Sequence, residues 1–157
     1  MNLGFTGLIS ATVFIPTLGA LIIAILLKKD RHIFFFSRFV ALLNLILSAI
    51  VLFAYQSSQS PDRFKLVDRY DQWIPFESFK VEYYLGVDGF SAPLILLTGL
   101  LTAVAIFSSK NINHKIKQYF ICLLLLETAV MGVFSSVDLF LFFIFWELEL
   151  IPMFFLI

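Results

Sequence analysis

The sequence contains little charge, and this shortage excludes whole classes of protein. Only 14% of the 157 residues are Asp, Glu, Lys or Arg, whereas 61% are hydrophobic. The mean hydropathy is +0.97. Such a balance is far from that of a soluble globular domain and indicates a protein that crosses a membrane several times. The formal net charge is zero, so the composition gives no argument for a nucleic-acid partner.

Residues that commonly hold cofactors are also scarce. Cys122 is the single cysteine and lies in an apolar run, so it cannot form an intrachain disulfide, a zinc site or an iron–sulfur cluster. The two histidines, His32 and His114, lie beside basic loops, and we interpret them as solvated loop residues. The sequence has no glycine-rich phosphate loop. If the protein serves a redox enzyme, we expect no cofactor in this chain and no electron transfer through it.

A secretory signal peptide is also missing. The first seven residues carry no charged side chain, and the apolar run that follows is too long for a signal-peptide core. We therefore predict a retained first transmembrane helix. Apolar runs of sufficient length predict five spans, the last of them truncated, over residues 8–27, 33–55, 90–108, 119–137 and 138–157. The predicted fold class is all-α, a polytopic transmembrane helix bundle forming one membrane domain over residues 1–157.

The loops between these spans predict the orientation of the bundle. The segment 28–38 contains four basic residues and the segment 110–117 contains three, whereas the N-terminus and the turn after the fourth span contain none. By the positive-inside rule, the basic loops lie inside and the N-terminus lies outside. The long polar loop 56–88 then lies outside, and within it residues 76–84 suggest a short strand or hairpin over the helix ends.

The final apolar run, DLFLFFIFWELELIPMFFLI, contains two carboxylates. Glu147 is nine residues past Asp138 and therefore about 13 Å deep in a hydrocarbon core about 30 Å thick. Glu127 lies ten residues before the same turn, so it is expected at a similar height on the neighbouring antiparallel helix. Glu149 is two residues beyond Glu147 and points to a different side of the helix. Whether Glu127 and Glu147 face each other does not follow from spacing.

An intramembrane carboxylate is costly and suggests a function by default. Its pKa responds to burial and to nearby lysine, so it can take up a proton on one side and release it on the other. The alternative is a permanent structural ion pair. We favour a proton-translocating role for Glu147. For Glu127, a candidate relay residue, both interpretations stay open. A contact with a neighbouring helix or subunit explains Glu149 as well as a role in proton transfer does.

Other polar residues near or within the spans have simpler interpretations. Asp138 is predicted to cap the fifth helix, and Asp88 and Ser91 are candidate caps of the third. Asn44, near the middle of the second span, is predicted to join two helices by a hydrogen bond. The sequence ends inside an apolar run without a polar flank, and we expect the chain to be the N-terminal part of a longer protein.

Two stretches resemble a known family. ETAVMGVFSSVDLFLFFIFWELELIPMFFLI and GVDGFSAPLILLTGLLT are similar to the antiporter-like subunit M, also called subunit 4 or chain 4, of proton-pumping NADH:quinone oxidoreductase, complex I. They are also similar to its counterpart in the photosynthetic NAD(P)H dehydrogenase. The resemblance extends over nearly the whole sequence, is weakest in residues 56–80, and covers the respiratory and photosynthetic branches alike.

The resemblance implies a family fold of about fourteen helices and makes Glu147 the principal proton-translocation residue of the fifth helix. It implies a lysine partner on a later helix, other membrane subunits and the lipid bilayer as partners, and only an indirect link to the quinone pool. NAD(P)H, flavin, iron–sulfur clusters and quinone would belong to other subunits. The expected location is a bacterial inner membrane, with a thylakoid or another energy-coupling membrane as alternatives.

Two other functions are compatible with the sequence. Subunits of multi-subunit cation/proton antiporters share the same helix core, so the intramembrane carboxylate does not separate them from the oxidoreductase subunits. A small structural or assembly protein is the third interpretation. The odd number of spans and the two central carboxylates without basic partners argue against it.

Overall fold

The computed structural model describes residues 7–58, 63–75, 80–112 and 114–157. Within these residues, five helices are long and apolar enough to cross a membrane, which confirms the predicted fold class. A two-stranded sheet lies between the second and third helices. The elements are α1 Leu8–Leu26, α2 Asp30–Ser57, β1 Leu66–Pro75, β2 Lys80–Val87, α3 Ser91–Ser108, α4 Ile116–Ser135 and α5 Leu139–Leu156, with a 3₁₀ turn, Ser109–Asn111, after α3.

The helix ends differ from the predicted limits where polar groups complete a turn. Helix α2 begins at Asp30, three residues early, where a carboxylate in the first turn suits the helix dipole. Helix α4 ends at Ser135, two residues early. There the backbone N–H of Val137 donates to the carbonyl of Tyr84 at 3.0 Å, so the chain leaves the helix to pair with β2.

The predicted cap of α5 is confirmed, whereas at α3 the N-cap position is Phe90, Ser91 is the first helical residue, and Asp88 accepts hydrogen bonds just ahead of the helix. The Asp138 carboxylate accepts hydrogen bonds from the backbone N–H groups of Phe140 and Leu141 at the start of α5. Asp88 accepts from the N–H of Ser91 at 2.8 Å, and the Ser91 hydroxyl accepts from the N–H of Asp88 at 2.9 Å. The bond from Ser91 is the main reason that the pKa of Asp88 lies below its ordinary value.

The sheet is an antiparallel hairpin. Its register runs from Leu66 opposite Val87 to Tyr70 opposite Tyr83, with an irregularity before Ile74 pairs with Val81. The short strand or hairpin predicted over residues 76–84 covers only part of it. Residues 76–79 lie outside the described residues and residues 80–84 begin β2, whereas β1 was not predicted.

The hairpin is fixed to the first helix by one buried carboxylate. Asp68 in β1 accepts hydrogen bonds from the backbone N–H of Gly7 and from the N–H and hydroxyl of Ser10, at 2.8 to 2.9 Å. The Tyr83 hydroxyl donates to the Ser10 hydroxyl at 2.8 Å, and burial raises the pKa of Tyr83 above its ordinary value. Asp68 thus caps α1 from a distant strand and meets the positive end of its dipole.

Helix α4 is the centre of the bundle, because it packs against the other four helices and against β2. Helix α5 lies at the edge and buries mainly Leu141, Phe145 and Pro152. Gly132 of α4 permits its close approach. A Cβ atom added at Gly132 would overlap the ring of Phe145.

The buried apolar side chains form two clusters at opposite ends of the bundle. The first cluster lies at the hairpin end and includes Ile9, Val13, Val51, Leu85, Val87, Ala92, Ile95, Met131, Leu141 and Phe145. The second lies at the end that carries the basic loops and includes Ala20, Ile23, Ile33, Val40, Ala41, Ala103, Ile106, Phe120 and Leu124. On α1, α2, α3 and α4, the residues between the clusters are partly polar.

Candidate functional site

The polar side chains between the two apolar clusters form a mid-bundle layer, which we define as Thr17, Asn44, Thr98, Glu127 and Thr128. The hydroxyl of Thr17 on α1 donates to that of Thr128 on α4 at 2.8 Å. The hydroxyl of Thr98 on α3 donates to the carbonyl of Leu94 in its own helix. Hydrogen bonds among polar side chains are the usual way to keep such groups inside a membrane-spanning bundle.

Glu127 is the one acid of this layer and is almost fully buried, with 1% of its surface exposed. The Asn44 side-chain amide donates to Glu127 Oε1 at 2.8 Å and also approaches Met131 Sδ at 3.3 Å. The predicted interhelical hydrogen bond of Asn44 is thereby confirmed, and its partner is Glu127. Glu127 Oε2 and Asn44 Oδ1 make no hydrogen bond within the described part of the chain.

Glu147 has the opposite environment. It lies on the exposed face of α5 and lines an open groove of about 520 Å³ whose other lining residues are apolar and also belong to α5. It makes no hydrogen bond or ion pair to any residue that the structure describes. The apolar lining residues are Phe140, Phe143, Ile144, Leu148, Leu150 and Ile151.

The two central carboxylates therefore face different surfaces of the bundle. Glu127 on α4 faces Asn44 on α2, inside the bundle, whereas Glu147 faces outward from α5. The structure does not bring them together as a pair. Glu149, which is half-buried, lies on another side of α5, as its spacing from Glu147 predicts.

Sequence reasoning missed the rest of the mid-bundle layer. Thr17 and Thr128 are 111 positions apart, and threonine is common enough in transmembrane helices that neither residue stands out. The sequence feature that could have identified them is their position, because each lies within one helical turn of the midpoint of a predicted span. Among the described residues, no three His, Cys, Asp or Glu side chains lie close enough together to hold a metal ion.

Comparisons with known proteins give consistent results. Residues 64–134 match the family model described as NADH-ubiquinone oxidoreductase chain 4, amino terminus. NAD(P)H-quinone oxidoreductase chain 4 3 of Picosynechococcus is 35% identical over 150 residues, which are 95% of this chain and 26% of the relative.

Two further relatives are similar to the same extent. Chain 4 1 from Synechococcus strain JA-3-3Ab is 40% identical over 149 residues, and the chloroplastic chain 4 of Mesostigma viride is 34% identical over 150 residues. Each match covers 95% of this chain. This chain spans 27% of the Synechococcus relative and 29% of the Mesostigma relative.

Proposed function

This chain belongs to the chain 4 family of the NAD(P)H-quinone oxidoreductases, and we propose that it acts as a proton-translocating membrane subunit of such an enzyme. In this proposal, electron transfer takes place in other subunits and drives proton movement through intramembrane carboxylates of this one. NAD(P)H, flavin, iron–sulfur clusters and quinone bind elsewhere in the complex.

The observation that carries the proposal is the placement of Glu147. Its carboxylate lies in an apolar groove on the outward face of a membrane-spanning helix, without a partner among the described residues. A carboxylate at this depth needs a counter-charge, a hydrogen-bond donor or water. We propose that this partner comes from a further helix packed on the groove, and that the proton on Glu147 responds to changes in that partner.

Glu127 and the mid-bundle layer are proposed as a second proton-holding position. The Asn44 amide supplies one hydrogen bond to Glu127, and one oxygen on each side chain has no donor among the described residues. A proton carried by Glu127 would provide such a donor. This arrangement supports a relay role and also suits a purely structural role, and mutation of Asn44 and Glu127 would distinguish the two.

The proposed orientation has the N-terminus on the outer, positive side. The hairpin, the start of α1 and the α4–α5 turn lie at one end of the bundle, since Asp68 binds Ser10 and Leu85 bridges to Ser136. The two basic loops lie at the other end, where the Lys117 ammonium donates to the carbonyl of Ala24 at 2.8 Å. This separation supports the orientation drawn from the positive-inside rule.

The oxidoreductase function is favoured over that of a free-standing cation/proton antiporter, because the relatives described above are named as quinone oxidoreductase subunits. Their cyanobacterial and chloroplast origins support an energy-coupling membrane as the location. The outward face of α5, with its exposed aromatic and aliphatic side chains, is a suitable contact for neighbouring membrane helices of the complex.

The test is a Glu147→Gln substitution in the full-length subunit within its assembled complex. Glutamine keeps the shape of the side chain but cannot exchange a proton, so we expect normal assembly and the loss of most coupled proton pumping. Vesicles energised with NAD(P)H and quinone would report pumping through a pH-sensitive dye, with quinone reduction measured in parallel.

Glu149→Gln is the matched control, because it removes an equal charge two residues away on another side of α5. It should leave most of the pumping intact. Full pumping in an assembled Glu147→Gln complex would exclude Glu147 from the proton path.

A further inference from the structure

A basic groove lies at the loop end of α2, opposite the hairpin. It has a volume of about 320 Å³ and is lined by Arg31, Arg38 and Lys110 together with Phe34 and Phe35. The residues from α2 follow a spacing of three, four and seven positions, which places them on one face of the helix. Lys110 comes from the 3₁₀ turn after α3, so the groove joins two helices.

Arg38 is held in a position that directs its charge toward this groove. Its guanidinium carbon lies 5.8 Å from the ring centre of Phe34 and 5.6 Å from that of Phe107 on α3. Phe34 is one turn closer to the start of α2, and long helical side chains point toward the helix N-terminus. Arg38 therefore extends from inside the span toward the membrane surface, as basic side chains do near helix ends.

The positive charge of the groove is not neutralised within the described part of the chain. Arg31, Arg38 and Lys110 make no ion pair there, and the buried Arg38 Nε has no hydrogen-bond partner. The sequence around them is predominantly basic. Asp30 is the single acidic residue in residues 28–38, and residues 109–117 contain none. A buried guanidinium N–H without a partner is a donor that a ligand can satisfy.

We propose that this groove binds the phosphate of an anionic phospholipid from the inner leaflet. The guanidinium fork of arginine matches a phosphate in geometry, and lysine adds a point charge. Basic pockets between transmembrane helices on the cytoplasmic side are suited to anionic headgroups. Phe35, which is 76% exposed, offers an apolar surface next to the phosphate along which an acyl chain can lie.

A lipid fits the groove better than free phosphate for two reasons. The groove opens at the side of a membrane-spanning helix, with aromatic walls that free phosphate would not contact. Its volume accommodates a phosphodiester headgroup, whereas the acyl chains would extend into the bilayer past Phe35. The choice of the inner leaflet rests on the proposed orientation, but the site does not depend on proton transfer by Glu147, so failure of the pumping test would leave the lipid proposal standing.

The test uses a photoactivatable phosphatidylglycerol in liposomes that contain the assembled complex with the full-length subunit. Crosslinks should map to peptides covering residues 31–38 and 107–110. Arg31→Gln, Arg38→Gln and Lys110→Gln together should lower the apparent affinity for this lipid by roughly five-fold per cation, or about 100-fold in all. A phosphatidylcholine probe with the same chains should crosslink there far less.

The matched control removes three positive charges from the same end of the bundle but outside the groove, as Lys28→Gln, Lys29→Gln and Lys115→Gln. It should retain most of the crosslinking. If the triple groove variant fails to assemble, the double variant Arg31→Gln and Lys110→Gln, at two exposed positions, should still reduce crosslinking about 25-fold.

Three results would overturn the proposal. Equal losses in groove and control variants would mean that general surface charge attracts the lipid. Displacement of the probe by millimolar inorganic phosphate would identify free phosphate as the ligand. Crosslinking of these peptides to a neighbouring subunit in place of the lipid would identify the groove as a protein interface.

Discussion

Asn44 and Glu127 are 83 positions apart in the sequence and meet at mid-height of the bundle. Each is almost fully buried, and each depends on the other, because a buried polar group without a hydrogen bond costs about 1–3 kcal/mol. Asn44 is therefore the residue that positions the Glu127 carboxyl between α2 and α4. Its role and that of Glu127 can be separated by measuring stability and pumping on the same variants.

Asn44→Leu should destabilise the bundle by about 1–3 kcal/mol, because it removes the amide that donates to Glu127 Oε1 and leaves the carboxyl buried without that bond. Thermal unfolding of the assembled complex would measure this loss. Adding Glu127→Met to Asn44→Leu should recover much of the stability, since replacing both partners by apolar groups can be nearly neutral.

Proton pumping of the double variant decides the role of Glu127. A stable double variant that pumps normally would make the Asn44–Glu127 pair structural, and one that is stable but does not pump would support the relay. If Asn44→Leu alone changes neither stability nor pumping, then the interhelical hydrogen bond makes no measurable contribution to either.

At the scale of elements, the hairpin packs against the ends of the membrane helices. A two-stranded sheet has little stability of its own in water, so its structure depends on what it packs against. Here β2 contacts α1, α4 and α5, while Asp68 of β1 satisfies two N–H groups at the start of α1. The hairpin and α1 therefore stabilise each other.

Asp68→Ala should weaken this attachment by about 1–3 kcal/mol, because two backbone donors at the start of α1 lose a charged acceptor. We expect faster proteolysis within residues 63–87 and faster hydrogen exchange at the amides of Gly7 and Ser10, measured on the full-length protein in membranes.

Glu82→Ala is the control within the same hairpin. It removes the partly exposed ion pair with Arg69. This ion pair is expected to contribute less than about 1 kcal/mol to stability. Cleavage and exchange rates that are alike in the two variants would contradict the capping role of Asp68.

At the scale of the whole molecule, the bundle has two chemically different ends. The hairpin and the α4–α5 turn lie at one end, and seven basic residues of the sequence segments 28–38 and 110–117 belong to the other. The mid-bundle layer lies between two apolar clusters. This arrangement places Glu127 about midway along its span, and Glu147 at a comparable depth on the surface of α5.

The orientation can be tested with single cysteines, because Cys122 is the single cysteine of this 157-residue sequence. In a Cys122→Ala background, a membrane-impermeant maleimide should label Glu82→Cys from the outside of sealed cells or vesicles. It should label Lys29→Cys only after the membrane is opened. The reverse pattern would show that the orientation drawn from basic loops is wrong.

The sequence alone determined the membrane class, the five spans, the cap at Asp138, and the resemblance to the chain 4 proteins. Each of these depends on local composition, local spacing or a contiguous motif, which hydropathy and capping chemistry reveal without a fold. The strand β1 was not predicted, because a hairpin fixed by contacts to helix ends carries little periodic signal of its own.

Only the tertiary structure decided which carboxylate faces which surface. The spacing along α4 and α5 placed Glu127 and Glu147 at similar depths but left their rotation about the helix axes open. That rotation follows from long-range packing. Phe145 against Gly132 brings one face of α5 onto α4 and turns Glu147 outward, whereas Asn44 holds Glu127 inside. These orientations depend on contacts between side chains that are distant in the sequence, and local sequence patterns do not encode such contacts.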